Sequence, residues 1–207
     1  MLQSLKGRGL VERDARGHYR PGFGLLALGL GVQDREPIVA AARPLLESGA
    51  RELGETLFLV VARGGELIVL DKVEGTGFLR AAPQVGSSVP VHATAAGKLY
   101  LAFDPAALTL RVESSATVPQ AYTEKTLTEA ADLADAVALT RERGWASNRD
   151  EWIPGLSVIA APVEAGGRMQ GSVALAMPSA RWEELGGDAL GERIKAIARA
   201  TAARIEG

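Results

Sequence analysis

The segment from His92 to Leu99 carries the residues of this chain that come nearest to a phosphate-binding loop. Its Gly97-Lys98 pair stands at nearly the spacing of that motif. The motif needs a glycine at its start and a Ser or Thr after the lysine to hold magnesium, but His92 and Leu99 occupy these two positions. We therefore expect no nucleotide binding here.

Other catalytic and metal-binding patterns are missing from the sequence. It has no cysteine and only two histidines, which excludes disulfides, thiolate metal sites and cysteine nucleophiles and leaves little for a zinc site. Neither a G-x-S-x-G elbow nor an H-E-x-x-H pair occurs. Asp150 and Glu151 are adjacent carboxylates, but neighbouring side chains point apart, which favours a solvated turn over acid–base catalysis. We predict no enzyme activity, no metal site and no cofactor.

The run of small residues from Ala93 to Gly97 would leave a helix N-terminus open. Free backbone N–H groups at such a terminus can bind an anion directly. Small residues also let a helix pack closely against a sheet, and both interpretations stay open. We expect this helix to run from His92 to Phe103 and to end at the turn that Asp104 and Pro105 signal.

The elements around this helix predict an α+β fold. The expected strands are 56–62, 67–73, 78–82, 145–147, 157–163 and 171–176. The expected helices are 37–53, 127–143 with Thr126 or Thr128 as its cap, and 182–205 with a break near Gly186 and Gly187. Because consecutive strands are joined by short turns and helices stand between the groups, we expect an antiparallel sheet covered by helices.

The first 20 residues predict the end of a helix followed by a tight, basic hairpin, as in the back half of a winged helix. Leu2 and Leu5 share a helical face, and Gly9 suits the left-handed conformation that closes a helix. Residues 1–20 carry five basic and two acidic side chains, a net charge of +3 that leaves −5 for the remainder. This contrast favours contact between the hairpin and nucleic acid.

The bulk composition is typical of a soluble globular protein. The 207 residues suffice for one main domain with a small appendage, and 47% are hydrophobic against 23% charged. No apolar run approaches the roughly 20 residues needed to span a bilayer. The Leu/Gly segment near residues 25–32 is short and has no cleavage site after it, so it does not read as a signal peptide. We expect a cytoplasmic protein without membrane contact.

Four stretches of the chain resemble, in order and spacing, the IclR family of bacterial transcription regulators. They are GRGLVERDARGHYRPGFGLLALG at 7–29, VHATAAGKLYLAF at 91–103, GWASNRDEWIPGLSVIAAPV at 144–163 and VALAMPSAR at 173–181. The resemblance covers essentially the whole chain. It implies the remnant of a winged helix-turn-helix at 1–22, a linker helix at 23–35, and an effector-binding domain at 36–207 with a GAF-like curved antiparallel sheet flanked by helices.

The resemblance also implies partners. They are operator DNA, a small carboxylic or aromatic acid as effector, and further copies of the chain in a dimer or tetramer, as in a ligand-sensing repressor. Arg8, Arg13, Arg16 and His18 would be wing residues that touch phosphate or the minor groove.

Met1 falls within the would-be recognition helix. We therefore expect a fragment or a misplaced start codon rather than a protein that has lost operator binding. The alternative is a stand-alone, small-molecule-binding GAF-like module that does not bind DNA. A GAF-like enzyme such as a methionine-sulfoxide reductase would need cysteines, and the chain has none.

The resemblance places the effector at the concave face of the sheet, against the start of the helix in the HATAAGK motif. Backbone N–H groups of Ala95 and Ala96 would bind an effector carboxylate or carbonyl, and Asn148 could donate or accept a hydrogen bond. The expected effector-binding residues are Phe78, Ala81, Val89, Thr94, Ala95, Ala96, Asn148, Val158, Ala174 and Ala176.

The nature of three of these residues bears on the effector. Val158, Ala174 and Ala176 stand where some relatives that bind small keto acids carry Cys or Ser. Without those partners, each polar group of a small acid left unpaired costs about 1–3 kcal/mol. We therefore expect an aromatic or otherwise larger carboxylic acid rather than pyruvate or glyoxylate. Alternatively, the alanines only pack, and the effector binds elsewhere or is absent.

Overall fold

The computed structural model describes residues 2–77, 83–108 and 119–207. It begins with helix α1 (Leu2–Gly7) and a hairpin of β1 (Val11–Arg13) and β2 (Tyr19–Pro21). Helix α2 follows over Phe23–Arg35, the range expected for a linker helix. The division into domains stays a prediction, and the strand expected at 78–82 lies outside the described residues.

The rest of the described chain is a sheet with helices on both faces. Its strands are β3 (Thr56–Arg63), β4 (Glu66–Val73), β5 (Ser88–Val89), β6 (Ala146–Arg149), β7 (Leu156–Ala165) and β8 (Arg168–Pro178). Its helices are α3 (Pro37–Leu53), α4 (Ala95–Phe103), α5 (Ala130–Arg143), α6 (Ser179–Leu185) and α7 (Gly187–Glu206), with a 3-10 turn at Pro105–Leu108. The strands pair antiparallel in the order β5–β4–β3–β8–β7–β6, which confirms the predicted fold class.

Three predicted helix starts were wrong. The C-terminal helical segment, expected from 182, begins with α6 at Ser179. Helix α4 begins at Ala95 rather than at His92, because Thr94 is extended and its hydroxyl accepts the Gly97 N–H at 3.1 Å as the N-cap. Helix α5 begins at Ala130 rather than at 127, and neither predicted threonine caps it. The break in the C-terminal helix lies at Gly186, as predicted.

One face of the sheet packs against α3 and α7. The strands supply large side chains to it, such as Leu57 and Leu59 from β3 and Leu175 from β8, which are fully buried. Ile194 of α7 and Leu46 of α3 close the layer from the other side. We call this the packed face.

The opposite face carries helix α4, and we call it the α4 face. The alternate residues of the same strands point to it, among them Phe58, Ala160 and Ala174. The Tyr100 hydroxyl on α4 accepts the Ala62 N–H at 2.9 Å, and burial raises the pKa of Tyr100 to about 12. This bond fixes α4 to β3.

Strand β4 changes faces at a bulge. Leu59 pairs with Asp71 and Val60 pairs with Val69, so Leu70 is an extra residue without a counterpart on β3. Val69 therefore belongs to the α4 face, whereas the Asp71 side chain contacts Arg43 of α3 on the packed face.

None of the helices in the described ranges combines the length and apolar character needed to cross a membrane.

Candidate functional site

A largely apolar cavity lies between the start of α4 and the α4 face of the sheet. The volume of this cavity is about 40 Å³, and the free space rises to about 430 Å³ when open solvent at its mouth is counted. Its lining consists of Phe58, Val60, Val69, Pro83, Val89, Thr94, Ala95, Ala96, Asn148, Trp152, Leu156, Val158, Ala174 and Ala176. This is the concave site at which a small molecule could be enclosed.

The structure gathers eight of the ten expected effector-binding residues around this cavity. They are Val89, Thr94, Ala95, Ala96, Asn148, Val158, Ala174 and Ala176. The other two, Phe78 and Ala81, lie outside the described residues. Whether any of the ten binds an effector stays a prediction at this point.

Strand register explains why distant residues meet here. Asn148 on β6 lies opposite Val158 on β7, and Val158 lies opposite Ala176 on β8. Ala174 is two residues from Ala176 on the same strand, so it points to the same face. These side chains therefore form a continuous floor under the start of α4.

The start of α4 supports the packing interpretation, and binding of an anion there stays a prediction. A Cβ on Gly97 would lie 1.8 Å from the Val91 carbonyl oxygen, so only glycine allows this close packing. Ala95 and Ala96 instead line the cavity, and their N–H groups have no hydrogen-bond partner among the described residues. The glycine lets the helix pack closely, and the two alanines that line the cavity carry N–H groups without a partner in the described ranges.

Asn148 adds a polar atom to the cavity floor. The side chain is 1% exposed, and its Nδ2 donates to the Ala93 carbonyl at 2.9 Å. Its Oδ1 is buried without a hydrogen-bond partner in the described part of the chain. Oδ1 is therefore a free acceptor, and since the Nδ2 amide group has a second hydrogen, the residue keeps the donor and acceptor capacity expected from its type.

A buried ion pair below the cavity was missed by the sequence analysis. Lys98 Nζ lies 2.7 Å from both carboxylate oxygens of Glu151 and donates to the Ser147 carbonyl at 2.9 Å. Burial lowers the pKa of Lys98 and raises the pKa of Glu151, while their mutual contact opposes both shifts. Glu151 is thus not in a solvated turn, and the expectation for this residue was wrong.

The neighbouring Asp150 holds the same loop from outside. It has a positive φ of 60°, and its carboxylate accepts hydrogen bonds from Lys125 at 2.8 Å and Ser179 at 2.5 Å. The bond from Lys125, followed by that from Ser179, lowers the pKa of Asp150. Thr126, predicted as a helix cap, instead donates to the Glu151 carbonyl at 2.6 Å. The loop that carries both carboxylates is fixed at several points.

Six residues of the cavity lining were not predicted. They are Phe58, Val60, Val69, Pro83, Trp152 and Leu156. Side chains along a strand point alternately to the two faces of the sheet. Counting residues along β3 and β4 could therefore have placed Phe58, Val60 and Val69 on the α4 face. Trp152 lies inside one of the quoted motifs but in its loop, where no periodicity predicts direction.

The predicted DNA-contacting residues lie on or beside the N-terminal hairpin. They are Arg8, Arg13, Arg16 and His18. Arg13 Nε donates to the Gly17 carbonyl at 2.9 Å, and His18 Nδ1 lies 3.6 Å from an Asp14 oxygen. The side chains of the other two arginines have no such partner within the described ranges.

No group of three or more His, Asp or Glu side chains in the described ranges is arranged to hold a metal ion.

Comparison with known proteins identifies the relatives of this chain. Residues 31–203 match the family model described as "Bacterial transcriptional regulator IclR C-terminal". The Glycerol operon regulatory protein of Streptomyces griseus is 36% identical over 183 residues, which are 87% of this chain and 71% of the relative. The Probable transcriptional regulator SauR of Cupriavidus necator is 34% identical over 87% of this chain and 72% of its own length.

Solved structures have the same fold. The Thermotoga maritima IclR structure superposes with a TM-score of 0.76 at 25% identity and covers 99% of this chain and 81% of its own. An IclR homologue from Microbacterium hydrocarbonoxydans, solved in complex with 4-hydroxybenzoate, reaches a TM-score of 0.81 at 19% identity over 99% of this chain and 82% of its own.

Proposed function

Because the chain belongs to the IclR family of bacterial transcriptional regulators and is mainly the C-terminal domain of such a regulator, we propose that its cavity binds the regulatory effector. The observation that carries this proposal is the buried, unpartnered Oδ1 of Asn148 in a largely apolar lining. An unpaired buried acceptor costs about 1–3 kcal/mol, which a ligand with an N–H or O–H group would offset.

The lining favours an aromatic carboxylic acid as the effector. Phe58, Trp152 and Leu156 provide apolar contacts for a ring. The free N–H groups at the start of α4 would bind the carboxylate, and Asn148 Oδ1 would accept a hydrogen bond from a second substituent. 4-Hydroxybenzoate, the ligand of the Microbacterium homologue, belongs to this chemical class. Pyruvate and glyoxylate have no apolar body to bury.

A binding screen tests this proposal. We expect benzoate, 4-hydroxybenzoate and phenylacetate to raise the melting temperature and to bind in isothermal titration, with pyruvate and glyoxylate inactive at the same concentrations. A screen in which only the two- and three-carbon acids stabilise the protein would contradict the proposal.

The substitution Asn148→Leu tests the acceptor itself. Removing Oδ1 should weaken 4-hydroxybenzoate about ten-fold or more, since a site built for a hydroxyl discriminates against ligands it cannot pair with. Benzoate lacks the hydroxyl and serves as the internal control, so its affinity should change less. Equal losses for both acids would show that Asn148 acts only through the structure of the floor.

For DNA contact we propose that the hairpin binds the phosphate backbone, with Arg8 and Arg16 contributing more than Arg13 and His18. The first pair has free side chains, whereas the second pair is engaged within the hairpin. In titrations of labelled duplex DNA, Arg8→Ala with Arg16→Ala should weaken binding and reduce its salt dependence. Arg13→Ala with His18→Ala is the matched control.

For assembly we propose a homodimer through α2. Six of its large apolar side chains are 45–81% exposed: Phe23, Leu25, Leu26, Leu28, Leu30 and Val32. Their spacing places Phe23, Leu26 and Leu30 along one side of the helix and the other three along the opposite side. Exposed apolar surface of this extent marks an interface rather than a solvated face. Light scattering should show a monomer for Leu26→Glu with Leu30→Glu. Leu139→Glu on α5, whose leucine is 44% exposed, should leave the oligomer intact.

A further inference from the structure

A second pocket lies directly outside one wall of the cavity. We call it the outer pocket, and it is lined by residues 65–67, 88–91, Tyr122 and Trp152. Val89 and Trp152 line the cavity and the outer pocket alike. These two side chains therefore separate an apolar space inside from a more polar space outside, where Glu66 and Ser88 contribute.

Trp152 is the larger part of this separation, and its backbone is fixed. The Thr126 hydroxyl donates to the preceding Glu151 carbonyl at 2.6 Å, and Lys98 holds the Glu151 carboxylate. The indole N–H, in contrast, makes no hydrogen bond within the described residues, and the side chain is only half-buried. The ring is thus positioned by its backbone and by packing rather than by a polar anchor.

Val89 alone is too small to keep the two spaces apart. It lies on the two-residue strand β5 and pairs with Leu67 of β4. Val89 and its partner Leu67 both line the outer pocket. Removal of the Trp152 indole would therefore leave an open passage beside Val89 from the cavity to the outer pocket. The outer pocket has a volume of about 380 Å³, which is room for a second ring or a polar substituent.

We infer that Trp152 is the specificity-determining residue that limits the length of the effector by closing the cavity against the outer pocket. This inference rests on the proposed function, because it concerns the acid bound in the same cavity. Acids with a single ring fit inside the cavity, on the inner side of the partition that Trp152 and Val89 form. Acids that extend beyond one ring collide with the Trp152 indole.

Substitution of Trp152 tests this inference with two acids of different length. Isothermal titration with benzoate and biphenyl-4-carboxylate should show that the wild type prefers benzoate. Trp152→Ala should bind the biphenyl acid at least about ten-fold better than the wild type, with a smaller change for benzoate. The affinity of Trp152→Phe for the biphenyl acid should lie between those of the wild type and Trp152→Ala. Tyr122→Ala changes the outer pocket and removes the stacking of Tyr122 on His92, but it leaves the cavity lining intact and should keep the wild-type preference.

The outcomes separate this inference from the proposed function. An unchanged ratio of the benzoate and biphenyl-4-carboxylate affinities in Trp152→Ala would contradict the role of Trp152 as a partition.

A dye-binding measurement applies if the wild type binds neither acid. In that case the proposed effector class is wrong, and the partition is judged with 8-anilinonaphthalene-1-sulfonate, an anionic dye with separate ring systems. Dye binding by Trp152→Ala, with circular dichroism unchanged, but not by the wild type or Tyr122→Ala, supports the partition. Equal dye binding by all three contradicts it. Trp152→Phe replaces the alanine variant if that variant does not fold.

Discussion

The two faces of the sheet are built by the same strands and differ in the size of the side chains they carry. At neighbouring positions of β8, Leu175 contributes to the packed face and Ala174 to the α4 face. Across β7 the corresponding neighbours are Ile159 and Ala160. At these positions the packed face carries leucine and isoleucine, while the alanines that point to the other face leave space that α4 does not fill. Alternation within single strands therefore separates stability from ligand binding.

The α4 face compensates for its smaller side chains with a polar connection, and the largest expected effect comes from breaking it. Lys98→Met should destabilise the protein by about 3–5 kcal/mol, because it leaves the Glu151 carboxylate buried without a partner. Urea unfolding measures this loss. The double variant Lys98→Met with Glu151→Gln removes both charges and should lose less. A single variant as stable as the wild type would mean that the face depends on its apolar contacts alone.

A matched pair of substitutions tests the contrast between the faces directly. Ala161→Val adds two methyl groups to the packed face and should cost about 1–3 kcal/mol of unfolding free energy through overpacking. Ala174→Val places the same groups in the cavity and should change stability by under about 0.5 kcal/mol. The cavity variant should also bind aromatic acids more weakly. Similar losses in stability for both variants would remove the distinction between the faces.

The pH dependence of stability tests the loop beside the cavity. Because Lys125 and Ser179 lower the pKa of Asp150 below its usual 3.8, the ionised carboxylate stabilises the folded state above that pH. This contribution is lost as the pH falls through the lowered pKa of the folded state. Asp150→Asn should therefore be less stable than the wild type at neutral pH, and the two should converge below pH 3.8. A difference that persists in acid would assign the loss to packing.

The smallest expected loss of stability comes from removing the hydrogen bonds between α2 and strand β4. Gln33 Nε2 donates to the Leu70 carbonyl at 3.0 Å and lies 3.3 Å from an Asp71 oxygen. Gln33→Ala should cost about 0.5–1.5 kcal/mol, expressed as faster amide exchange in α2 rather than as global unfolding. Gln170→Ala, which removes a similar bond to the Ala165 carbonyl, is the control and should leave α2 unchanged.

The sequence predicts five of the six described strands of the main sheet, missing the two-residue β5, and most of the floor of the cavity, for different reasons. The positions of the strands follow from runs of β-branched and aromatic residues, and such runs can be recognised in a short stretch of sequence without knowing the rest of the fold. Asn148, Val158 and Ala176 were found through their motifs, and register then places them side by side.

Local sequence patterns could not predict contacts between distant parts of the chain. The Lys98–Glu151 pair joins residues 53 positions apart, and nothing in either neighbourhood indicates a partner. The direction of Trp152 depends on a loop held by Thr126 and Asp150, so it follows from hydrogen bonds that periodicity does not encode.

The bulge at Leu70 makes the arrangement of β4 tolerant of one specific change in chain length. Val69 and Asp71 are two positions apart and would share a face on a regular strand, but the extra residue places them on opposite faces. An in-frame loss of the single codon for Leu70 would make Val69 and Asp71 neighbours, and alternation along a regular strand would still place them on opposite faces. Val69 would therefore still line the cavity and Asp71 would still face Arg43, while the Leu70 carbonyl that accepts the Gln33 hydrogen bond would be lost. The loss of a codon on either side of the bulge pair would instead reverse the faces of the residues beyond it.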